Sequence, residues 1–330
     1  MLLDYGLAPQ FVAAGPWLGG GALTMAELRG KVLLLDFWTY SCVNCVRTIP
    51  ALRAWHRAYS PEGLVIVGAH SPEFEFEKSR SNVAWAMKSL GIEWRVVQDN
   101  DFSQWSAYSN QYWPAHYLVD ARGRVRYVHF GEGNFEDTEK AIRALLAEAK
   151  AGPGTAAPNA AAPSAVTAPN ASGTASASAE NRFVSPREPD LQDGTPEMYL
   201  GYARGRGFVS AIEPVADAAV DYEPEREPVN AEWNLEGRWT IASEYSVPDG
   251  TGALNLGFEA KDLYLVLVPG GRGSSIRVLV DGFPPPDTAD VKDGRLRLSG
   301  ARMYHLASFN AGAFRRLRLE VNGETRLYAF

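Results

Sequence analysis

Two cysteines in 330 residues are too few for a disulfide framework, and at Cys42 and Cys45 they stand too close together to staple distant parts of a fold. A pair so placed points to chemistry rather than architecture. Long apolar runs are missing too: stretches such as 32–35 and 263–268 fall far short of the roughly 20 residues needed to cross a bilayer, so no membrane span is expected. Positive charge is scarce. The formal charge is -7, shared as -1 in residues 1–150 and -6 in residues 151–330, which offers nucleic acid no electrostatic footprint. Residues 1–11 carry neither a basic leader nor an apolar core, so no export signal is expected in this chain. The five histidines, His56, His70, His116, His129 and His305, show no metal-ligand spacing such as i, i+4, and no metal is expected.

What is present falls into three parts. Residues 1–150 alternate apolar runs with helix-compatible sequence, the pattern of parallel strands joined by crossover helices. Strands are expected at 32–38, 64–69, 93–97, 115–119 and 125–130, with helices at 43–59, 79–90 and 138–150. Asp120-Ala121-Arg122-Gly123 joins the last two strands as an antiparallel hairpin. Residues 151–180 contain twelve alanines, four prolines and one charge; too little apolar area is available to offset ordering entropy, and a flexible linker is expected. Residues 181–330 lose helical periodicity and read as short alternating segments between Gly, Pro, Asp and Asn clusters, which fits an all-β sandwich of jelly-roll type.

The informative stretch is residues 33–50, LLLDFWTYSCVNCVRTIP, where a buried strand runs into a C-x-x-C pair at the start of a helix. Amides at a helix N-terminus lack intrahelical acceptors and carry partial positive charge, so a thiolate at Cys42 is favoured there. Cys45, one turn on, can resolve a mixed disulfide formed by Cys42. A zinc half-site would need two further ligands, and no second cysteine pair exists. The chemistry indicated is dithiol–disulfide exchange, with no cofactor beyond the redox-active cysteines. Two alternatives stay open: a peroxidatic Cys42, suggested by T-x-x-C at residues 39–42, and a binding protein whose first domain is a passive scaffold.

Asp36, Phe37, Trp38, Cys42, Cys45 and Pro50 stand at the spacing of the thioredoxin active-site segment. Residues 25–148 resemble the thioredoxin-like superfamily, and an inserted helix and strand between His70 and Asp99 resemble its TlpA-like branch. The resemblance implies that Asp36 assists proton transfer at the inner cysteine and that Trp38 lies beneath the active-site loop. It also implies that Pro114 is the family's cis-proline facing the sulfurs. Val43-Asn44 departs from thioredoxin's Gly-Pro, Ser41 stands where thioredoxin has tryptophan, and no lysine closes strand 64–69 to pair with the acid. Substrate contacts are expected from Trp113, Tyr40, Val43, Asn44 and Trp38, with His70 and Glu73 as further candidates at a strand's C-terminal end.

More closely, W-T-Y-S-C-V-N-C at residues 38–45, H-S-P-E-F at 70–74 and Y-W-P at 112–114 resemble the soluble C-terminal region of DipZ-type proteins, as do T-P-E-M-Y-L-G at 195–201 and the terminal Y-A-F. In that family the thioredoxin-like domain follows a CcdA-like membrane electron carrier and precedes a carbohydrate-binding-module-like β-sandwich. The resemblance implies an extracytoplasmic location, electrons from a CcdA-like donor, and oxidised protein or small-molecule disulfides as acceptors. A carbohydrate ligand on the second domain would use a stacking platform drawn from Trp233, Trp239, Tyr245, Tyr264, Tyr304 and Phe309.

Overall fold

The computed structural model describes residues 2–152 and 194–330; the linker expected over 151–180 lies, from residue 153 on, outside the described residues. The chain divides into two units, Met1–Glu188 and Pro189–Phe330.

In the first unit the strands are β1 (Gly6–Leu7), β2 (Trp17–Leu18), β3 (Val32–Trp38), β4 (Leu64–His70), β5 (Arg95–Gln98), β6 (Ala115–Val119) and β7 (Arg124–Phe130), and the helices are α1 (Val43–Tyr59), α2 (Arg80–Leu90), α3 (Ser103–Ala107) and α4 (Phe135–Ala151). They form one mixed sheet in the order β1-β7-β6-β3-β4-β5-β2. β3 pairs in parallel with β4, and β4 with β5, whereas β6 runs antiparallel to both β3 and β7. Every residue of β3 is buried, as a strand covered on both faces requires. Its alternation splits the core. Val32, Leu34 and Trp38 face the layer of α1, α2 and α4, while Leu33, Leu35 and Phe37 face Met25, Leu28 and Tyr108.

Several expected boundaries coincide with the structure, and the differences have local causes. Ser79 is the N-cap of α2 rather than its first residue. α4 begins at Phe135, whose ring packs edge-on to Trp55 at 6.3 Å. The short elements β1, β2 and α3 had no apolar period to reveal them.

The second unit is an antiparallel all-β sheet of β8 (Ala219–Tyr222), β9 (Glu232–Ile241), β10 (Ser246–Val268), β11 (Ser275–Val280), β12 (Val291–Lys292), β13 (Arg295–Leu296), β14 (Arg302–Asn322) and β15 (Arg326–Ala329). The expected strands 254–258 and 263–268 are halves of one long strand, β10, whose register with β14 slips between Ala260 and Asp262. The sheet curls back on itself, because Leu327 of β15 pairs with Ser246 and with Leu267, both on β10. That curl corrects the stacking platform. Trp233, Trp239 and Tyr304 are buried in the core, Tyr264 stacks on His305, Phe309 lies beneath the Arg315 guanidinium, and Tyr245 packs on Tyr328. The six rings form no common surface.

Candidate active site

α1 begins where the β3 chain turns out of the sheet, and Cys42 is its N-cap. The Cys45 amide donates to Cys42 Sγ at 3.4 Å, so the sulfur takes the place that a serine or aspartate oxygen fills at most helix starts. Both cysteines are free thiols. They differ in access: Cys42 keeps 6% of its surface and Cys45 none. Burial pushes the Cys45 thiol well above its usual range, with its contact to Cys42 and the Asp36 charge adding in the same direction. The inner thiol therefore holds its proton until something removes it.

Asp36 is fully buried on β3, directly across from His116 on β6. Its Oδ1 lies 3.4 Å from His116 Nε2, on the side of β3 away from β4. Pro114 is buried immediately before β6, and the Trp113–Pro114 peptide is cis. Trp113 is half-buried, stacked at a tilt on Trp105, and its Nε1–H donates to the Ser71 carbonyl at 3.0 Å. Val43 and Asn44 are partly exposed at the helix start.

Trp38 is a correction. It and Tyr40 are core residues: Trp38 has no exposed surface and presents no face to a substrate, whereas Tyr40 keeps 4%. Trp38 fits there because Gly68 lies alongside: a Cβ at residue 68 would come within 2.7 Å of the indole nitrogen. Tyr40 stacks on His70 with ring centroids 5.6 Å apart.

His70 is equally enclosed, with its Nε2 3.4 Å from Thr39 Oγ1. Burial holds its imidazole down to about 3, against 6.5. It is a neutral core side chain rather than a solvent-facing acid or base. The unfolded chain takes up a proton below pH 6.5 that the folded chain refuses down to about 3, so stability is complete above pH 6.5 and is lost as pH falls, by about 1.4 kcal/mol per unit. Between pH 7 and pH 5 the first unit should lose roughly 2 kcal/mol from this residue. His70→Gln should flatten that slope, measured as the difference in amide-exchange protection between the two pH values.

Glu77 is the site residue that sequence reasoning missed. It sits without exposed surface in the 3-10 turn Glu75–Lys78. Its Oε1 accepts from the Ser41 hydroxyl at 2.5 Å and from the Ser41 amide at 3.3 Å. Its Oε2 accepts from the amides of Glu73 at 2.5 Å and Phe74 at 3.0 Å. Burial pushes its carboxyl up, against these hydrogen bonds and one from Thr39. The segment after β4 is thereby tied to the residue preceding Cys42. Glu73 contributes its amide to that knot and is itself half-buried. The available signal was an acid three residues after Phe74, the position from which a carboxylate satisfies a turn's first amides.

The arrangement is a strand leading to a C-x-x-C at a helix N-cap, with a buried acid on that strand and a cis-proline before an antiparallel hairpin. Residues 7–128 match the model of the AhpC/TSA family, and residues 195–330 match that of the "Thioredoxin like C-terminal domain". The chain carries a thioredoxin-like AhpC/TSA domain followed by a thioredoxin-like C-terminal domain. Protein DipZ of Mycobacterium bovis is 38% identical over 302 residues, covering 88% of this chain and 39% of that protein. The chain thus spans about two fifths of the length of that relative. Thiol-disulfide oxidoreductase YkuV of Bacillus subtilis is 28% identical over 42% of this chain and 94% of its own. For the Bacillus subtilis thiol-disulfide oxidoreductase ResA, the identity is 29% over 36% of this chain and 62% of its own. The thioredoxin-like homologues therefore include thiol-disulfide oxidoreductases. Among the described residues no helix is long and apolar enough to cross a membrane.

Proposed function

We propose that this chain is a disulfide reductase in which Cys42 attacks and Cys45 resolves. The observation that carries the reading is the asymmetry of the pair: Cys42 at the helix N-cap, its sulfur accepting an amide proton, and Cys45 sealed behind it with a strongly held proton. Cys42 thiolate attacks one sulfur of a substrate disulfide, and the other sulfur leaves as a thiolate. Cys45 then gives its proton to Asp36 and displaces the remaining substrate sulfur from Cys42. The Cys42–Cys45 bond forms, and both electrons leave with the substrate thiols. Pro114 shapes the face on which the substrate lies, with Trp113, Val43 and Asn44 at its rim.

The DipZ likeness supports an extracytoplasmic setting, a CcdA-like membrane dithiol as electron source, and protein or small-molecule disulfides as acceptors. A resolving thiol one turn from Cys42 favours exchange over peroxide chemistry, which would leave a sulfenic acid on Cys42. Equilibration of the full chain in thiol–disulfide buffers, with alkylation and mass analysis, should show one two-electron transition consuming both cysteines together. Oxidation confined to Cys42 while Cys45 stays alkylatable would overturn the reading.

A further inference from the structure

Asp36, His116 and His129 stand in one row across three neighbouring strands: Asp36 on β3 faces His116 on β6, and His116 faces His129 on β7. All three point to the α1 and α4 side of the sheet, because Leu34, Trp38, Leu118 and Tyr127, each two residues along the same strands, pack in that core. Asp36 and His116 are 0% and 1% exposed, and His129 keeps 7%, so the row runs from a sealed acid towards the surface. The His116 and His129 ring centroids are 6.4 Å apart. Neither Asp36 oxygen and neither His116 nitrogen has a hydrogen bond to another described residue, apart from their mutual 3.4 Å contact. Leaving a carboxylate and an imidazole so poorly satisfied in a core is costly and needs a reason.

The other titratable side chains turned to this core include Tyr40 and Cys42 before α1, Cys45 and Tyr59 on α1, His70 on β4 and Tyr127 on β7. α4 contributes Phe135 and Thr138, which do not titrate, and its Glu139 and Arg143 are bound to Tyr59 at the far end of α1. Asp36 is the carboxylate whose charge reaches Cys45.

We propose that the row Asp36–His116–His129 is the proton relay of the inner thiol. This rests on the reductase reading above. As Cys45 sulfur displaces the substrate from Cys42, its proton passes to an Asp36 oxygen, then to His116 Nε2. The imidazole releases a proton from Nδ1 towards His129, which exchanges it with solvent. No electron moves along the row. His116 and His129 act through Asp36 and are positioning residues, outside contact with the reacting sulfurs.

The test is stopped-flow reaction of the reduced full chain with the aromatic disulfide 5,5′-dithiobis(2-nitrobenzoate). The first thiol released reports attack by Cys42, and the second reports resolution by Cys45. His116→Gln should leave the first release unchanged and slow the second on the order of 100-fold near pH 7, with its pH dependence flattened. His129→Gln, nearer the surface, should give a smaller slowing that imidazole buffer restores. Should His116→Gln fail to fold, His129→Gln alone decides. A second release with unchanged rate and pH profile in the folded variants overturns the relay, as does equal slowing of both releases. Loss of the first release in the unsubstituted chain instead overturns the reductase reading.

Discussion

Glu77→Ala is expected to destabilise the first unit by about 3–5 kcal/mol, because it orphans several buried donors at once. The substitution leaves the amides of Ser41, Glu73 and Phe74 and the Ser41 hydroxyl without their acceptor, and an orphaned buried donor costs about 1–3 kcal/mol. Glu77→Gln should fall roughly midway. Its single carbonyl oxygen can serve either the Ser41 pair or the Glu73–Phe74 pair, and its NH2 then meets donors on the other side. The Ser41 hydroxyl can turn to accept, but the amides cannot. The check is urea dependence of amide exchange in peptides spanning residues 36–50 and 70–80. An alanine variant within 1 kcal/mol of the parent would show that the knot is not what holds the segment after β4 against the cysteine loop.

That knot also shows where the sequence stops being legible. β3 and α1 could be read because their signals are local: a continuous apolar run, then a capping residue, then apolar residues at helical spacing. The α1 bounds Val43–Tyr59 are the expected ones. In Glu73-Phe74-Glu75-Phe76-Glu77 nothing local says which acid is inside. Glu75 is exposed and Glu77 is sealed, and the difference is made by Ser41, 36 residues away. The Asp36–His116 pairing likewise depends on the β3–β6 register, which the parity of each strand does not reveal. Trp38 is no substrate contact for the same reason: an aromatic residue beside a C-x-x-C can face either way, and the space beside Gly68 draws this one inward. In the second unit alternation identified strands, but not that residues 254–258 and 263–268 continue through a slip in register.

The two cysteine substitutions should separate attack from resolution. Cys42→Ser should reduce disulfide turnover to the uncatalysed background, because a serine hydroxyl at the helix N-cap does not ionise near neutral pH and the remaining sulfur has no exposed surface. Cys45→Ser should behave differently. Cys42 still reaches the substrate, so one equivalent of thiol is released per chain, and the reaction then halts with substrate linked to Cys42. The same asymmetry should appear with an alkylating agent at pH 8. Cys42 is the sulfur with access, while burial and the Asp36 charge keep Cys45 protonated, so the reduced chain should label once at Cys42 long before it labels at Cys45. Denaturation should abolish the difference, since the unfolded chain gives both thiols water and an ordinary affinity for the proton. Equal labelling rates in the folded chain would remove the physical basis for assigning attack to one sulfur and resolution to the other.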